Sequence, residues 1–295
     1  MRIFVTGATG FVGSAVVAEL IGAGHAVVGL ARSEAGAATL AAAGAGVHRG
    51  DLDDPEEVAR GAENADAVIH TAFNHDFSRF AESCEADRRL VMRLGEALAG
   101  SGRPLVVTSG LGILRKAGTL DETDRPVAGT HPRVASEEAA DAVAERGGTV
   151  AVVRLPPSVH GVGDHGFVPI LIRIAREKGI SAWPGDGANR WPAVHRLDAA
   201  RLYRLVVESG LPGRYHAVAE EGIPFRDIAG VIGQRLGLPA TGLAPGDVAA
   251  HFGWFSHFVA MSVPASSRAT RETLGWAPDG PGLLADLDEP AYFAA

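Results

Sequence analysis

The chain has 295 residues, 46% of them hydrophobic, and 35 Asp and Glu against 27 Lys and Arg leave a formal net charge of −8. That length suits one large α/β domain carrying a smaller lobe, and a dispersed acidic balance excludes nucleic acid as the main partner, because phosphate binding needs clustered Lys and Arg. No apolar run approaches the ~18 residues of a membrane span, the N-terminus reads as a strand rather than a signal peptide, and the lone Cys84 offers neither an internal disulfide nor a Cys-based zinc site; a soluble cytoplasmic protein is expected.

Short apolar runs at Ile3–Val5, Ala26–Leu30, Ala67–Ile69, Leu105–Val107 and Val150–Leu155 alternate with helix-like stretches at Phe11–Ala23, Ala35–Ala43, Pro55–Ala62, Phe77–Ala99 and Pro132–Arg146. Continuous apolar runs fit parallel strands buried on both faces. Asp54-Pro55-Glu56-Glu57 supplies an N-cap, a first-turn proline and first-turn acids. Alternation with short connections predicts an α/β fold, a doubly wound parallel Rossmann sheet. The rhythm breaks at Pro156-Pro157, and the loop Gly161–Gly166 follows with His160, Asp164 and His165 in or beside it. Helices are then predicted over Phe167–Lys178, Leu197–Glu208 and Pro224–Leu236, a Gly- and Pro-rich irregular stretch over Trp183–Trp191, and a strand over Tyr215–Val218. A dinucleotide-binding domain over 1–158 and a substrate-binding lobe over 159–295 follow, with about 193–218 returning to the first domain.

Gly7, Gly10 and Gly13 stand directly after the first strand and open a helix. Gly7 allows the tight turn, Gly10 lets a pyrophosphate approach the backbone, and Gly13 lets the helix pack on the sheet, while the helix N-terminus offers N–H donors and a positive dipole. Thr9, Phe11 and Val12 complete that contact. After the second strand come Arg32 and Ser33 where an NAD-binding site would place an acid on the ribose 2′-hydroxyl; a cation there favours the 2′-phosphate of NADP(H). Asp51 and Leu52 follow the third strand, where the Asp can bond the adenine amino group or serve as a turn cap.

These segments, with Asp66-Ala-Val-Ile-His-Thr-Ala72, Arg154-Leu-Pro-Pro-Ser-Val-His-Gly161, Gly185-Asp-Gly…Val194-His-Arg-Leu-Asp198-Ala and Ser266-Ser-Arg…Leu274-Gly-Trp-Ala-Pro278, resemble the extended short-chain dehydrogenase/reductases, the NAD-dependent epimerase/dehydratase-like group, over nearly the whole chain. The resemblance implies that Thr71, Ala72, Phe73, Ser109 and Pro156 also line the cofactor, and it suggests a homodimer through Phe77–Ala99 and Pro132–Arg146. Its catalytic tetrad does not carry over. Members use a Tyr-x-x-x-Lys pair, a Ser or Thr, and an Asn, the tyrosine giving the proton. Here Arg133 stands for the tyrosine and Glu137 for the lysine, Gly110 for the serine with Ser109 one residue before, and Asp87 for the Asn. That pattern is closest to the atypical members with a degenerate tetrad.

Arginine stays protonated, so Arg133 is a clamp rather than an acid. Ser109 could position a substrate oxygen, Asp87 could hold a water or pair with Arg133, and His160 has the ordinary pKa for acid work although a packed histidine is the commoner role. The spacings His160–His165 and His251–His257 give no metal site. Phe73, Phe77, Phe167, Trp183, Trp191, Phe252, Trp254 and Phe255 fall in segments that face the pocket, and an apolar pocket favours a small hydrophobic substrate over a nucleotide sugar. The expectation is an NADPH-dependent oxidoreductase passing hydride to an apolar carbonyl, imine or quinone, with Ser109, Arg133, Asp87 and His160 as candidate catalytic residues. The competing readings are a non-catalytic NADP(H) sensor and an epimerase or dehydratase.

Overall fold

The structure, a computed structural model, describes residues 1–293. In chain order come β1 (Arg2–Thr6), α1 (Phe11–Gly22), β2 (Ala26–Ala31), α2 (Glu34–Ala42), β3 (Gly46–Arg49), α3 (Pro55–Ala62), β4 (Ala67–His70), α4 (Phe80–Ala97), β5 (Pro104–Gly110), α5 (Ala135–Glu145) and β6 (Thr149–Leu155). Then follow β7 (Ser158–His160), α6 (Phe167–Lys178), β8 (Ser181–Pro184), β9 (Arg190–His195), α7 (Arg196–Ser209), β10 (Gly213–His216), β11 (Glu220–Pro224), α8 (Phe225–Leu236) and β12 (Ala240–Leu243). Four short helices close the chain: α9 (Val248–Phe252), α10 (Ser256–Val259), α11 (Arg268–Leu274) and α12 (Leu283–Leu287).

Seven parallel strands form the main sheet in the order β3-β2-β1-β4-β5-β6-β10. The order reverses between β1 and β4, and a crevice opens there beyond the carboxyl ends of the strands. Central strands are buried on both faces, β4 throughout its length, whereas edge strand β3 is largely exposed; apolar alternation is lost at just the strands that need helices on both sides. One face packs Ile3, Val5 and Ile69 against α1 and α7 through Val16, Leu20, Leu202 and Val206. The other packs Phe4, Val68 and Val107 against α3, α4 and α5 through Val58, Leu90, Leu94 and Val143. A separate apolar core, centred on Trp191, Phe225, Phe255 and Leu283, builds the second lobe around the small sheets β11-β9-β7 and β12-β8.

Several features depart from the sequence expectation; the strand expected over Tyr215–Val218, for one, runs over Gly213–His216. The stretch Trp183–Trp191 is not wholly irregular: its ends belong to β8 and β9, which the interleaved Gly and Pro conceal. The helix expected from Phe77 opens as a 3₁₀ turn, Phe77–Arg79, capped by the Asp76 carboxylate accepting from the Ser78 amide at 3.0 Å. That expected from Pro132 likewise opens as a 3₁₀ turn, Pro132–Val134, so Arg133 sits ahead of α5 rather than within it. Among the described residues, no helix is long and apolar enough to cross a membrane, and no cluster of His, Cys, Asp or Glu could hold a metal ion.

Candidate active site

The glycine turn after β1 is shaped by backbone-to-backbone contact. Gly7 has φ +67°, and a Cβ there would lie 2.6 Å from the Ala72 amide nitrogen. A Cβ on Gly13 would lie 2.0 Å from the Gly7 carbonyl oxygen, so α1 can rest on the turn only because residue 13 has none. Beyond the Gly7 oxygen at 3.2 Å, a Cβ on Gly10 would meet nothing, which leaves its outer side open. No side chain caps α1, so the amides of Phe11, Val12 and Gly13 at its first turn are available to an anion. Thr71 Oγ1 donates to the Thr6 carbonyl at 2.8 Å and ties the β4 end, with Ala72 and Phe73, to this turn. Thr9 is exposed on the open side, and Pro156 lies buried past the end of β6. An uncapped helix start over a close-approach glycine turn fits the diphosphate of a dinucleotide.

At the β2 end, Arg32 reaches freely into solvent, 79% exposed, with its Nε 3.7 Å from Asp51. Ser33 caps α2, its Oγ accepting from the Gly36 amide at 3.1 Å. Asp51 accepts from the Asp53 amide at 3.2 Å, an ordinary turn role, and Leu52 is half-buried against the α3–α5 core. Sequence reasoning missed Arg49, at the end of β3, whose guanidinium grips this corner; the only signal was a cation at a strand end adjoining Arg32 in space.

The degenerate tetrad positions form one buried network. Asp87 falls on the inward stripe of α4 with Cys84, Val91 and Leu94. One carboxylate oxygen accepts from His70 Nε2 at 2.9 Å; the other accepts from Arg133 Nη1 at 2.7 Å and from the Ser136 hydroxyl. His70 Nδ1 lies 2.6 Å from Thr6 Oγ1, so the chain of contacts runs from the glycine turn to the tyrosine position. Burial pushes the Asp87 carboxyl up, but Arg133 and His70 outweigh it and hold the group below the usual carboxylate range. Arg133 also donates to the Thr108 carbonyl at 3.2 Å and stacks its flat face 4.0 Å over the Phe73 ring. Its donors are thus turned into the protein, which leaves little of the expected clamp on substrate.

Glu137, at the lysine position, is fully buried and accepts from Arg154 Nε at 2.8 Å and Nη2 at 2.7 Å, and from Arg214 Nε at 3.0 Å. Burial pushes its carboxyl up and Arg154 overrides that, holding it ionised. The position that carries a free ammonium in the resembling family is therefore the centre of a closed ion cluster. Nor does another lysine replace it: the chain's only lysines are Lys116 and Lys178, and Lys116 pairs with Asp121 and Asp124.

Two expected site residues face the wrong way. Ser109 alternates with Thr108, whose hydroxyl meets Tyr203 at 2.7 Å on the α7 side. Ser109 therefore turns toward Glu137 on the opposite face, its Oγ without solvent contact and without a partner in hydrogen-bond geometry, rather than toward a nicotinamide. His160 is fully buried in β7 with Nδ1 2.8 Å from Asp286, and burial lowers its pKa, so it is a packed histidine and not a solvent-fed acid.

The side chains beyond the end of β4 are mostly aromatic. Phe73 meets His75 at 5.1 Å and Phe80 at 5.9 Å between ring centroids. Phe77 stacks on Phe80 at 5.6 Å and reaches the second lobe through Trp254 at 5.1 Å and Phe258 at 5.5 Å. His131 packs edge-on against Phe80 at 5.6 Å, its Nδ1 accepting from the Arg133 amide at 3.2 Å. His75 and His131 both have lowered pKa values, first from the protein around their rings and then from nearby cations, Arg133 for His75 and Arg115 for His131. Neither was singled out from the sequence, although His131 stands only two residues before Arg133.

The fold and the glycine cradle together define a protein of the Rossmann dinucleotide-binding class. Comparison with known proteins narrows this: the model described as "NAD dependent epimerase/dehydratase family" matches residues 3–218, and the chain belongs to that family, the extended short-chain dehydrogenase/reductases. An uncharacterized protein of Schizosaccharomyces pombe is 47% identical over 99% of this chain and 100% of its own length. A 2-alkyl-3-oxoalkanoate reductase of Stenotrophomonas maltophilia is 29% identical, over 81% of this chain and 77% of its own. Among solved structures, a dTDP-glucose 4,6-dehydratase of Streptomyces venezuelae superposes with a TM-score of 0.77 at 22% identity, over 99% of this chain and 97% of that one.

Proposed function

We propose that the protein is an NADPH-dependent reductase of a small apolar carbonyl, imine or quinone. The observation that carries this reading is the aromatic wall of Phe73, Phe77, Phe80, Trp254 and Phe258 beside the end of β4, one residue past the cradle contact at Ala72. An apolar wall excludes water and stabilises a hydrophobic acceptor, and the Arg133 stacked on it spends its donors on Asp87, Ser136 and the Thr108 carbonyl. The relative from Stenotrophomonas, named as a 2-alkyl-3-oxoalkanoate reductase, supports the carbonyl-reducing part of this reading.

Gly7, Thr9, Gly10, Phe11, Val12 and Gly13 would hold the diphosphate, and Arg32 and Ser33 the 2′-phosphate, with Asp51, Leu52, Thr71, Ala72, Phe73 and Pro156 around them. When bound, NADPH supplies the hydride. Arg133 and Asp87 act from behind: the ion pair fixes Phe73, and Phe73 shapes the acceptor pocket. A reduced ketone also needs a proton at oxygen, and with Arg133 unable to give one and Ser109 and His160 enclosed, the titratable groups at the pocket are His75 and His131. Their lowered pKa leaves them mostly neutral near pH 7, which favours acceptors such as iminium ions and quinones that take hydride without a strong acid.

Purified protein should oxidise NADPH with quinones or cyclic imines faster than with matched aromatic ketones, followed as loss of reduced-cofactor absorbance. Phe77→Ala should raise KM for an apolar acceptor about tenfold, the loss of one aromatic contact surface. Tight NADPH binding with no turnover across the panel would refute reduction and favour the second reading, a non-catalytic NADP(H) sensor, for which the closed ion pairs at Arg133 and Glu137 speak.

A further inference from the structure

Arg49 makes contacts that neither the glycine turn nor the aromatic pocket uses. Its Nη1 donates to the Ser33 carbonyl at 2.7 Å and its Nη2 to the Arg32 carbonyl at 3.3 Å. The same Nη2 holds the Glu34 carboxylate at 2.8 Å. The guanidinium is therefore immobilised by the backbone of the β2–α2 turn, yet 44% of the side chain remains exposed. Arg32, by contrast, is 79% exposed and tethered only by its 3.7 Å approach to Asp51. One cation at this corner is held by the turn backbone, and the other stands free of it.

The corner adjoins the diphosphate cradle. A Cβ on Gly36, in the first turn of α2, would lie 3.3 Å from Ser33 Oγ and 3.5 Å from Thr9 Cγ2, so the glycine turn and the α2 start touch. A dinucleotide seated on the first lays its adenosine ribose against the second. Ser33 Oγ accepts the Gly36 amide, and its own proton is left to donate outward. Glu34 shows that a carboxylate docks on the Arg49 guanidinium beside Ser33, and a phosphate matches that planar fork at least as well.

We propose that Arg49 is a specificity-determining residue, a second and preorganised cation for the ribose 2′-phosphate, with Glu34 as an internal anion that the phosphate displaces. The inference rests on the NADPH reading above and goes beyond it by placing the discrimination on β3 as well as β2. Because Arg49 meets the turn through carbonyl oxygens, it has no contact that NADH would lose.

The test measures binding of NADPH, NADH, 2′,5′-ADP and 5′-AMP to the full chain by fluorescence or calorimetry, for wild type, Arg49→Ala and Glu34→Gln. Arg49→Ala should weaken NADPH and 2′,5′-ADP about tenfold and change NADH and 5′-AMP by less than about twofold. Glu34→Gln, at a side chain 93% exposed and so harmless to folding, should tighten NADPH and 2′,5′-ADP severalfold by removing the competitor. A wild-type preference for NADPH that survives Arg49→Ala, or equal losses for NADPH and NADH, overturns the role of Arg49 alone. Equal wild-type affinity for NADPH and NADH overturns the NADPH reading and the inference with it.

Discussion

Replacing Asp87 by alanine removes the acceptor at the centre of the network and strands three partners at once. Arg133, whose side chain is 13% exposed, loses its counter-ion at 2.7 Å, His70 loses its Nε2 contact at 2.9 Å, and the Ser136 hydroxyl loses its acceptor. Breaking a buried pair by deleting one partner costs about 3–5 kcal/mol, because an uncompensated charge remains. Arg133 can partly turn toward solvent, so about 3 kcal/mol is expected for Asp87→Ala. Asp87→Asn keeps the shape but opposes an amide to His70, and about 1–2 kcal/mol is expected. Urea unfolding followed by circular dichroism at pH 7.5 reads both. Adding Arg133→Ala to Asp87→Ala should recover part of the loss, with a coupling of about 1–3 kcal/mol in the double-mutant cycle. The sign with pH follows from linkage: a carboxyl held below its ordinary 3.8 in the folded protein contributes stability that is present above that value and is lost as pH falls through the lowered one. The Asn variant should therefore show a shallower stability loss between pH 4 and 2 than wild type. A cost under about 1 kcal/mol for Asp87→Ala, or strict additivity with Arg133→Ala, would refute the network as described.

Two further outcomes can be checked directly. Gly13→Ala puts a methyl group 2.0 Å from the Gly7 carbonyl oxygen, which forces α1 off the turn; cofactor binding measured by fluorescence should fall by two orders of magnitude or more, about 3 kcal/mol, while the far-ultraviolet spectrum stays helical. Asp164, in the loop after β7, has its carboxyl pushed up to about 6 by burial, with its Oδ1 accepting the Gly166 amide at 2.7 Å. A raised acid stabilises the fold below its ordinary 3.8, and that contribution is lost as pH rises from there through about 6. Asp164→Asn, which keeps the acceptor and cannot ionise, should raise stability by about 1–2 kcal/mol at pH 7.5 and by nothing measurable at pH 4, read from paired urea melts.

The Rossmann sheet was legible because its information is local. Buried runs such as Val150–Leu155 and the Asp54-Pro55 helix start declare their structure within a few residues, and Gly7, Gly10 and Gly13 sit where strand, turn and helix meet. The degenerate tetrad was also legible, since Arg133 and Glu137 hold the spacing of the pair they replace. Side-chain direction was not. Ser109 turns away from the crevice because strands alternate faces and Thr108 takes the other side, a one-residue phase that composition cannot fix. His160 carried the right chemistry in a loop-like sequence, but it belongs to β7, and its partner Asp286 lies 126 residues on. His70 and Arg49 were overlooked for the same reason: each acquires its meaning from residues distant in the chain.

The position of β10 carries a consequence for how the molecule can be divided. The strand comes from residues 213–216, between the two chain segments that build the second lobe, and pairs along β6 from Ala151 to Arg154, while α7 lies on α1 and shares its core. A fragment ending near residue 158 would expose the whole outer edge of β6 and the apolar flank of α1, a template for strand addition between molecules. Limited proteolysis inside residues 159–212 should therefore leave the two pieces clasped rather than release a free nucleotide-binding half. The two lobes should therefore unfold in one transition, and a chain cut near residue 158 should aggregate through the bared edge of β6.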